Sequence, residues 1–292
     1  MSAPYLGTLP SGTARRLRIV HRTGYRYSRP IGASYNESRM TPLTTPTQTV
    51  LEARLEVTPV TWSTQYWDYW GSQVSAFEVL TPHRELTVIS NSTVETSAVP
   101  RPDHGADWDH LRSAEVRGAN LEWLVQSART EPVAEVAALA DEAAGGLPPE
   151  QAARAVCERL REIVDYRPGV TGVHSGAAEV WAARSGVCQD FAHLAIGALR
   201  HLGIPARYVS GYLHPYADAD VGDTVEGESH AWIEYWSGQW RPYDPTSVRE
   251  AGVDHVVVAR GRDYADVPPL KGVFAGPADS TLFVAVEVTR LV

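Results

Sequence analysis

Short alternating runs of apolar and polar residues fill the first third of the chain. In "LEARLEV", Leu51, Ala53, Leu55 and Val57 fall on one face of an extended segment, and Glu52, Arg54 and Glu56 on the other. That period of two marks a half-buried strand. "RLRIVHRTGYRYS", "TQYWDYWG", "SQVSAFEVLTP" and "RELTVISNSTVET" repeat the texture, with aromatic and β-branched residues enriched and Pro or Gly at the breaks. The pattern predicts a β-rich N-terminal domain over residues 15–100, an antiparallel sandwich-like arrangement. Two prolines and a glycine in "AVPRPDHGADWDH" then break it, which predicts a linker over 101–119. Residues 1–14 carry no such pattern and read as a flexible tail.

From residue 120 the period becomes helical. "TEPVAEVAALADEAAGG" opens with Thr130 as candidate N-cap and Pro132 in the first turn, and it ends at Gly145-Gly146. "PPEQAARAVCERLREIVDY" sets Ala152, Val156, Leu160, Ile163 and Val164 on one stripe, as in an amphipathic helix. A further helix is expected over 188–202, with Phe191, Leu194, Ala195, Ala198, Leu199 and Leu202 apolar and Gly203 beyond its end. "IPARYVSGYL", "ESHAWIEYW", "QWRPYDPT", "HVVVARGRDY" and "TLFVAVEVTRL" return to strand texture. Helices followed by strands predict an α+β domain over 120–292.

Composition narrows the partners. A net charge of −9 leaves no positive excess to neutralise phosphates, so neither nucleic acid nor an anionic membrane is expected. No apolar run approaches the roughly 20 residues of a membrane span. The opening "MSAPYLGTLPSGTARR" has no apolar core or cleavage-site pattern of a secretory leader, which gives a cytoplasmic expectation. Two cysteines, Cys157 and Cys188, are too few for a disulfide framework and are expected as thiols in a reducing compartment.

Three patterns that bear chemistry follow in order: "GVCQDFA" with Cys188, "SHAW" with His230 and "WRPYDPT" with Asp244. A thiol attacks as thiolate, and a free pKa of about 8.5 leaves it mostly protonated at neutral pH. The unserved N–H groups at a helix start and a neighbouring imidazolium would both favour the anion. "HAWIEYW" and "QWRPYD" read as a hairpin, in which loop length decides whether His230 and Asp244 share a face. A three-residue loop Trp236-Ser237-Gly238, with glycine left-handed, sets the two opposite each other. The carboxylate could then fix the ring's tautomer and leave its other nitrogen for Cys188. A two-residue Ser-Gly turn would put them on opposite faces. Each residue alone has an ordinary reading: a buried helix-start Cys, a strand His, a turn Asp before Pro. Their order together points to thiol acyl transfer. Cys157, on the apolar side of its helix, reads as core.

Taken together, "GVCQDFAHLAIGALRHLGIPARYVSGYL", "SHAWIEYW" and "WRPYDPT" resemble the catalytic core of the bacterial transglutaminase-like superfamily. "IVHRTGYRYSRPI" and "FEVLTPHRELTVISNS" resemble the N-terminal region that often precedes that core, and "GRDYADVPPLKGVFAG" its C-terminal segment. One departure is "DYWGSQ", where that region typically has Phe-Gly-Asn after an Asp; it touches no catalytic position. The resemblance implies a papain-like fold with Cys188 as nucleophile, His230 as general base and acid, and Asp244 as orienting carboxylate. It implies acyl transfer on a peptide, protein or small amide without cofactor or metal, ending in hydrolysis or transamidation. An inert scaffold or interaction protein of the same fold is the alternative.

Acyl transfer needs donors for the developing oxyanion. The Cys188 backbone N–H is the first candidate, and Gln189, Trp181 and Tyr166 are candidates for a second; Trp232 is expected to shield the site. "YADADVGDTVEGES" (216–229), with Asp218, Asp220, Asp223, Glu226 and Glu228, reads as a solvated acidic loop. Binding Ca²⁺ or gating the site is its alternative role, although EF-hand spacing is absent. His193 and His201 share a helix without a metal-ligand spacing.

Overall fold

The computed structural model describes residues 14–98, 105–169, 172, 175–216, 219–227 and 229–292. The expected tail lies outside them except for Ala14, where the first strand begins. Six strands come first: β1 (Ala14–Ile31), β2 (Ala33–Ser38), β3 (Gln48–Thr58), β4 (Trp62–Trp67), β5 (Gln73–Val79) and β6 (His83–Ser97). Along β6 every second residue from Leu86 to Thr96 is buried, as period-two patterning requires.

The segment read as a linker is largely helical. Helices α1 (Trp108–Arg112) and α2 (Ala114–Ala119) form because Asp107 and Ser113 cap them, accepting from His110 N (2.8 Å) and Val116 N (3.3 Å). Four longer or better-buried elements follow: α3 (Ala134–Ala144), α4 (Pro149–Ile163), α5 (Ala177–Ala183) and α6 (Cys188–His201). The two-residue strands β7 (Asp165–Tyr166) and β8 (Ser185–Gly186) pair beside α5. Thr130 is not the cap of α3, which starts four residues later after Val133. Thr130 is instead fully buried, and its hydroxyl serves Ser127 N, Gln126 and Arg200. That polar hub outcompeted the capping role.

Next come β9 (Ala206–Leu213), β10 (Thr224–Gly227), β11 (His230–Trp236), β12 (Trp240–Asp244), β13 (Arg249–Glu250), β14 (His255–Gly261), β15 (Leu270–Ala275) and β16 (Ser280–Arg290). Five of them make one sheet in the order β13-β12-β11-β9-β14. Helix α6, buried along its whole length from Asp190 to Arg200, packs across β11 and β9.

The other strands depart from expectation. The C-terminal strands read as part of the 120–292 segment join sheets built by residues 14–97. One sheet runs β10-β16-β1-β6-β3 and the other β15-β2-β5-β4. Local periodicity marks a strand but not its partner, and β16 finds its partner at Leu17–Tyr27 on β1. A single cluster of buried side chains therefore runs from Leu17, Ile19, Val286 and Val288 into Val156, Leu160, Phe191 and Ile233. A second cluster holds Phe77 and Val79 from β5 with Leu86 and Val88 from β6.

Candidate active site

Cys188 is the first residue of α6. The chain enters through Val187 in extended conformation (φ −112°, ψ −178°), and the Asp190 carboxylate accepts the Val187 N–H at 2.8 Å. Gly186 makes room for this, since a Cβ there would meet the Asp190 Cβ and Oδ2 at 2.7 Å. The first-turn N–H groups of Cys188 and Gln189 have no carbonyl of their own helix to serve. Together with the helix dipole they make this end of α6 a place where negative charge is stabilised. Cys188 itself is half-buried against the main cluster.

The hairpin that carries the other two residues differs from expectation by one position. Trp236 pairs with Trp240 and Ile233 with Tyr243, so the loop is Ser237-Gly238-Gln239, with Gly238 at φ +91°. Three loop residues still keep His230 and Asp244 on one face, but diagonally related instead of directly opposite. His230 Nε2 donates to Asp244 Oδ2 at 3.0 Å. On the same face the fully buried Trp232 ring lies 6.1 Å from the His230 ring, inclined by 26°. Gly211 on β9 permits that approach, because a Cβ there would meet the Trp232 ring at 2.7 Å.

Charge on this pair is strongly biased. Burial works against the Asp244 carboxylate, but His230, with His255 and Ser247, wins and holds it well below the usual carboxylate range. Burial also works against a charged His230. Hydrogen bonds to Asp244 and Cys188 and the charges of both outweigh it, raising the imidazole to about 10. At neutral pH the ring is thus an imidazolium, with Nε2–H on Asp244 and Nδ1–H available to Cys188.

Three neighbours of Asp244 went unassigned from sequence. Thr246 N donates to Oδ1 at 2.9 Å and Ser247 Oγ to Oδ2 at 2.6 Å. Both belong to an Asx-type turn that "DPTS" could have disclosed. His255 opens β14 and is buried, with Nε2 3.7 Å from Asp244 Oδ2 and Nδ1 accepting from Gly252 N at 3.2 Å. A lone His at a strand start gives no local signal of this. His230, Asp244 and His255 each offer a ligating atom within 4.8 Å of the others, the only such metal-sized group among the described residues. Metal-binding histidines donate their second N–H to an acceptor. His255 does the reverse, so its Nε2 carries the hydrogen and presents no lone pair.

The remaining candidates are spread out. Gln189 is half-buried in the first turn of α6, Tyr166 is exposed on β7, and Trp181 lies in the core beneath the Arg184 guanidinium, 3.6 Å from its ring centre. Cys157 is fully buried in the main cluster, and burial pushes its thiol up. Asp218 and Glu228 of the acidic stretch lie outside the described residues. Of the rest, Asp223 accepts from Asp220 N at 2.8 Å, while Glu226 belongs to β10, which pairs with β16. Part of the expected loop is therefore a strand. His193 accepts from Tyr264 N, whereas His201 pairs with Asp141 at the surface. No helix of the described residues is long and apolar enough to cross a membrane.

Comparison with known proteins finds both similar sequences and a similar solved structure. An uncharacterized protein of Mycobacterium leprae is 48% identical over 276 residues, covering 94% of this chain and 99% of the relative. The solved structure of a supposed cysteine protease from Cytophaga hutchinsonii superimposes with a TM-score of 0.74 at 25% identity, covering 96% of this chain and 91% of that one. A protein-glutamine gamma-glutamyltransferase of Pseudomonas aeruginosa is 31% identical over 113 residues, 35% of this chain and 17% of that relative. Residues 17–95 match the bacterial transglutaminase-like N-terminal region, and residues 137–245 match the core of the transglutaminase-like superfamily. The chain belongs to the transglutaminase-like superfamily, with the bacterial N-terminal region ahead of the core.

Proposed function

We propose that the chain is a thiol acyltransferase acting on amide or peptide bonds through Cys188, His230 and Asp244. The observation that carries the reading is the His230 ring, held by Asp244 at Nε2 and acted on by Cys188 at a helix N-terminus. In the first step the Cys188 thiolate adds to the carbonyl carbon. The negative oxygen is received by first-turn N–H groups of α6. His230 gives its Nδ1 proton to the nitrogen as the C–N bond breaks, which releases an amine and leaves a thioester. In the second step His230 takes a proton from water or an amine as it attacks the thioester, and the thiolate departs.

The supposed protease and the gamma-glutamyltransferase among the similar proteins stand for these two outcomes. We favour hydrolysis or specialised amide processing, since cross-linking needs a surface that admits two macromolecules. Gln189 supplies its backbone N–H to the oxyanion, and Trp232 shields the pair from water. The reading includes an N-terminal unit of two sheets packed sandwich-like, and a cytoplasmic place of action. Intact-mass trapping of an acyl-enzyme from a library of glutamine and peptide amides tests it. A Cys188-borne adduct that is absent from Cys188→Ala supports the reading; no adduct across the library, with the thiol unreactive, favours an inert scaffold.

A further inference from the structure

We infer that His255 is a positioning residue for Asp244: in its Nε2–H tautomer it steadies the carboxylate from a strand other than the one bearing His230. The inference rests on the acyl-transfer reading above.

Two of the donors on Asp244 belong to its own turn. Thr246 N and Ser247 Oγ follow Asp244 by two and three residues and move with it. They fix the carboxylate relative to its turn, not relative to the sheet. His230 itself is the group to be oriented. His255 is the remaining polar neighbour, its Nε2 3.7 Å from Oδ2, and it stands on β14, which pairs with β9 through His255 and Leu213. The Oδ2 atom that accepts from His230 at 3.0 Å thus also faces His255 Nε2, 3.7 Å away on another strand of the sheet. Unliganded catalytic sites commonly show such long contacts, which tighten when substrate and charge are in place.

The tautomer follows from geometry. Gly252 N donates to Nδ1 at 3.2 Å, so Nδ1 holds the lone pair and Nε2 the hydrogen. Nε2 is fully shielded from water and has no hydrogen-bond partner within ordinary distance, which leaves the Asp244 carboxylate as the acceptor it faces. The ring cannot drift, because it meets the Trp232 ring edge-on with centres 5.1 Å apart and planes at 73°. Burial holds the imidazole below its ordinary range, which keeps a second positive charge away from His230. A metal ion on Nε2 would require the opposite tautomer and would set Nδ1–H against the Gly252 N–H.

Two variants and one probe test this. His255→Phe keeps the ring volume beside Trp232 but removes both nitrogens. His255→Gln can still accept from Gly252 and donate to Asp244. With p-nitrophenyl acetate as activated acyl donor, His255→Phe should lower kcat about tenfold with KM little changed. His255→Gln should recover most of it. The downfield proton resonance of His230 Nε2–H should broaden in the Phe variant and persist in the Gln variant. A Phe variant that keeps kcat and the resonance overturns the role of His255 while leaving the triad standing. Wild-type protein that shows no Cys188-dependent reaction with the ester sinks the acyl-transfer reading itself. Tight zinc binding that needs His255 would overturn the assigned tautomer.

Discussion

His230 and Asp244, fourteen residues apart, meet Nε2 to Oδ2 at 3.0 Å because the loop between their strands has three residues. An odd loop keeps both side chains on one face of the sheet. The pair is set by the backbone register before any side chain chooses a rotamer.

Asp244→Asn should leave the fold intact and remove the charge that holds the His230 proton. The ring then falls from about 10 toward its ordinary value, and its tautomer is no longer fixed. Loss of the orienting carboxylate in other triads lowers kcat by about 10⁴. A comparable fall is expected here, measured as acylation by p-nitrophenyl acetate at neutral pH.

Stability should respond to pH through the same ring. His230 binds its proton more tightly when folded, at about 10 against an ordinary 6.5. Its contribution is therefore fully present below 6.5 and is lost as pH rises toward 10. Asp244 acts in the other direction: depressed in the fold, it stabilises above its ordinary 3.8 and loses that contribution in acid. Thermal melts of wild type and His230→Ala should accordingly differ most in mildly acid solution, below the ring's ordinary 6.5, and converge as pH passes 10.

Gly238 sits in the hairpin loop at φ +91°, where a side chain is strained. Gly238→Ala should cost about 1 kcal/mol in urea unfolding. Three loop residues remain, so the acylation rate of the folded fraction should be unchanged.

Glu234, on the same strand as His230, is buried and receives both Arg260 (Nε and Nη2, each 2.9 Å) and Arg207 (Nε, 2.7 Å). Arg207 in turn stacks on Trp240, its guanidinium carbon 3.9 Å from the ring centre. Glu234→Ala leaves two largely buried cations facing each other and should cost about 3–5 kcal/mol in urea unfolding. Charge removal matters more than lost attraction here, so Arg207→Met should cost less than Glu234→Ala.

The elements that carry Cys188, His230 and Asp244 were legible in the sequence because each has a strong local signal. Cys188 opens a helix that ends at His201, two residues before the left-handed Gly203, and the hairpin shows as two aromatic strands around a glycine. The exact loop was not legible, since Trp236 can pair or turn with equal local ease, and only the three-residue length matters to His230 and Asp244. Strand partners were hidden too. Nothing near residue 280 says that it hydrogen-bonds to Tyr27, because such pairing is decided by burial across the whole chain. His255 was invisible for the same reason: its neighbours Asp244 and Trp232 come from other strands.

Iodoacetamide alkylation of the native protein at neutral pH, with Cys188 and Cys157 resolved by peptide mass, is the most direct test of the thiol site. Cys188 should react rapidly, lose that reactivity in His230→Ala, and leave the fully buried Cys157 untouched. Equal, slow labelling of both cysteines, or a Cys188 rate indifferent to His230→Ala, would contradict a catalytic triad.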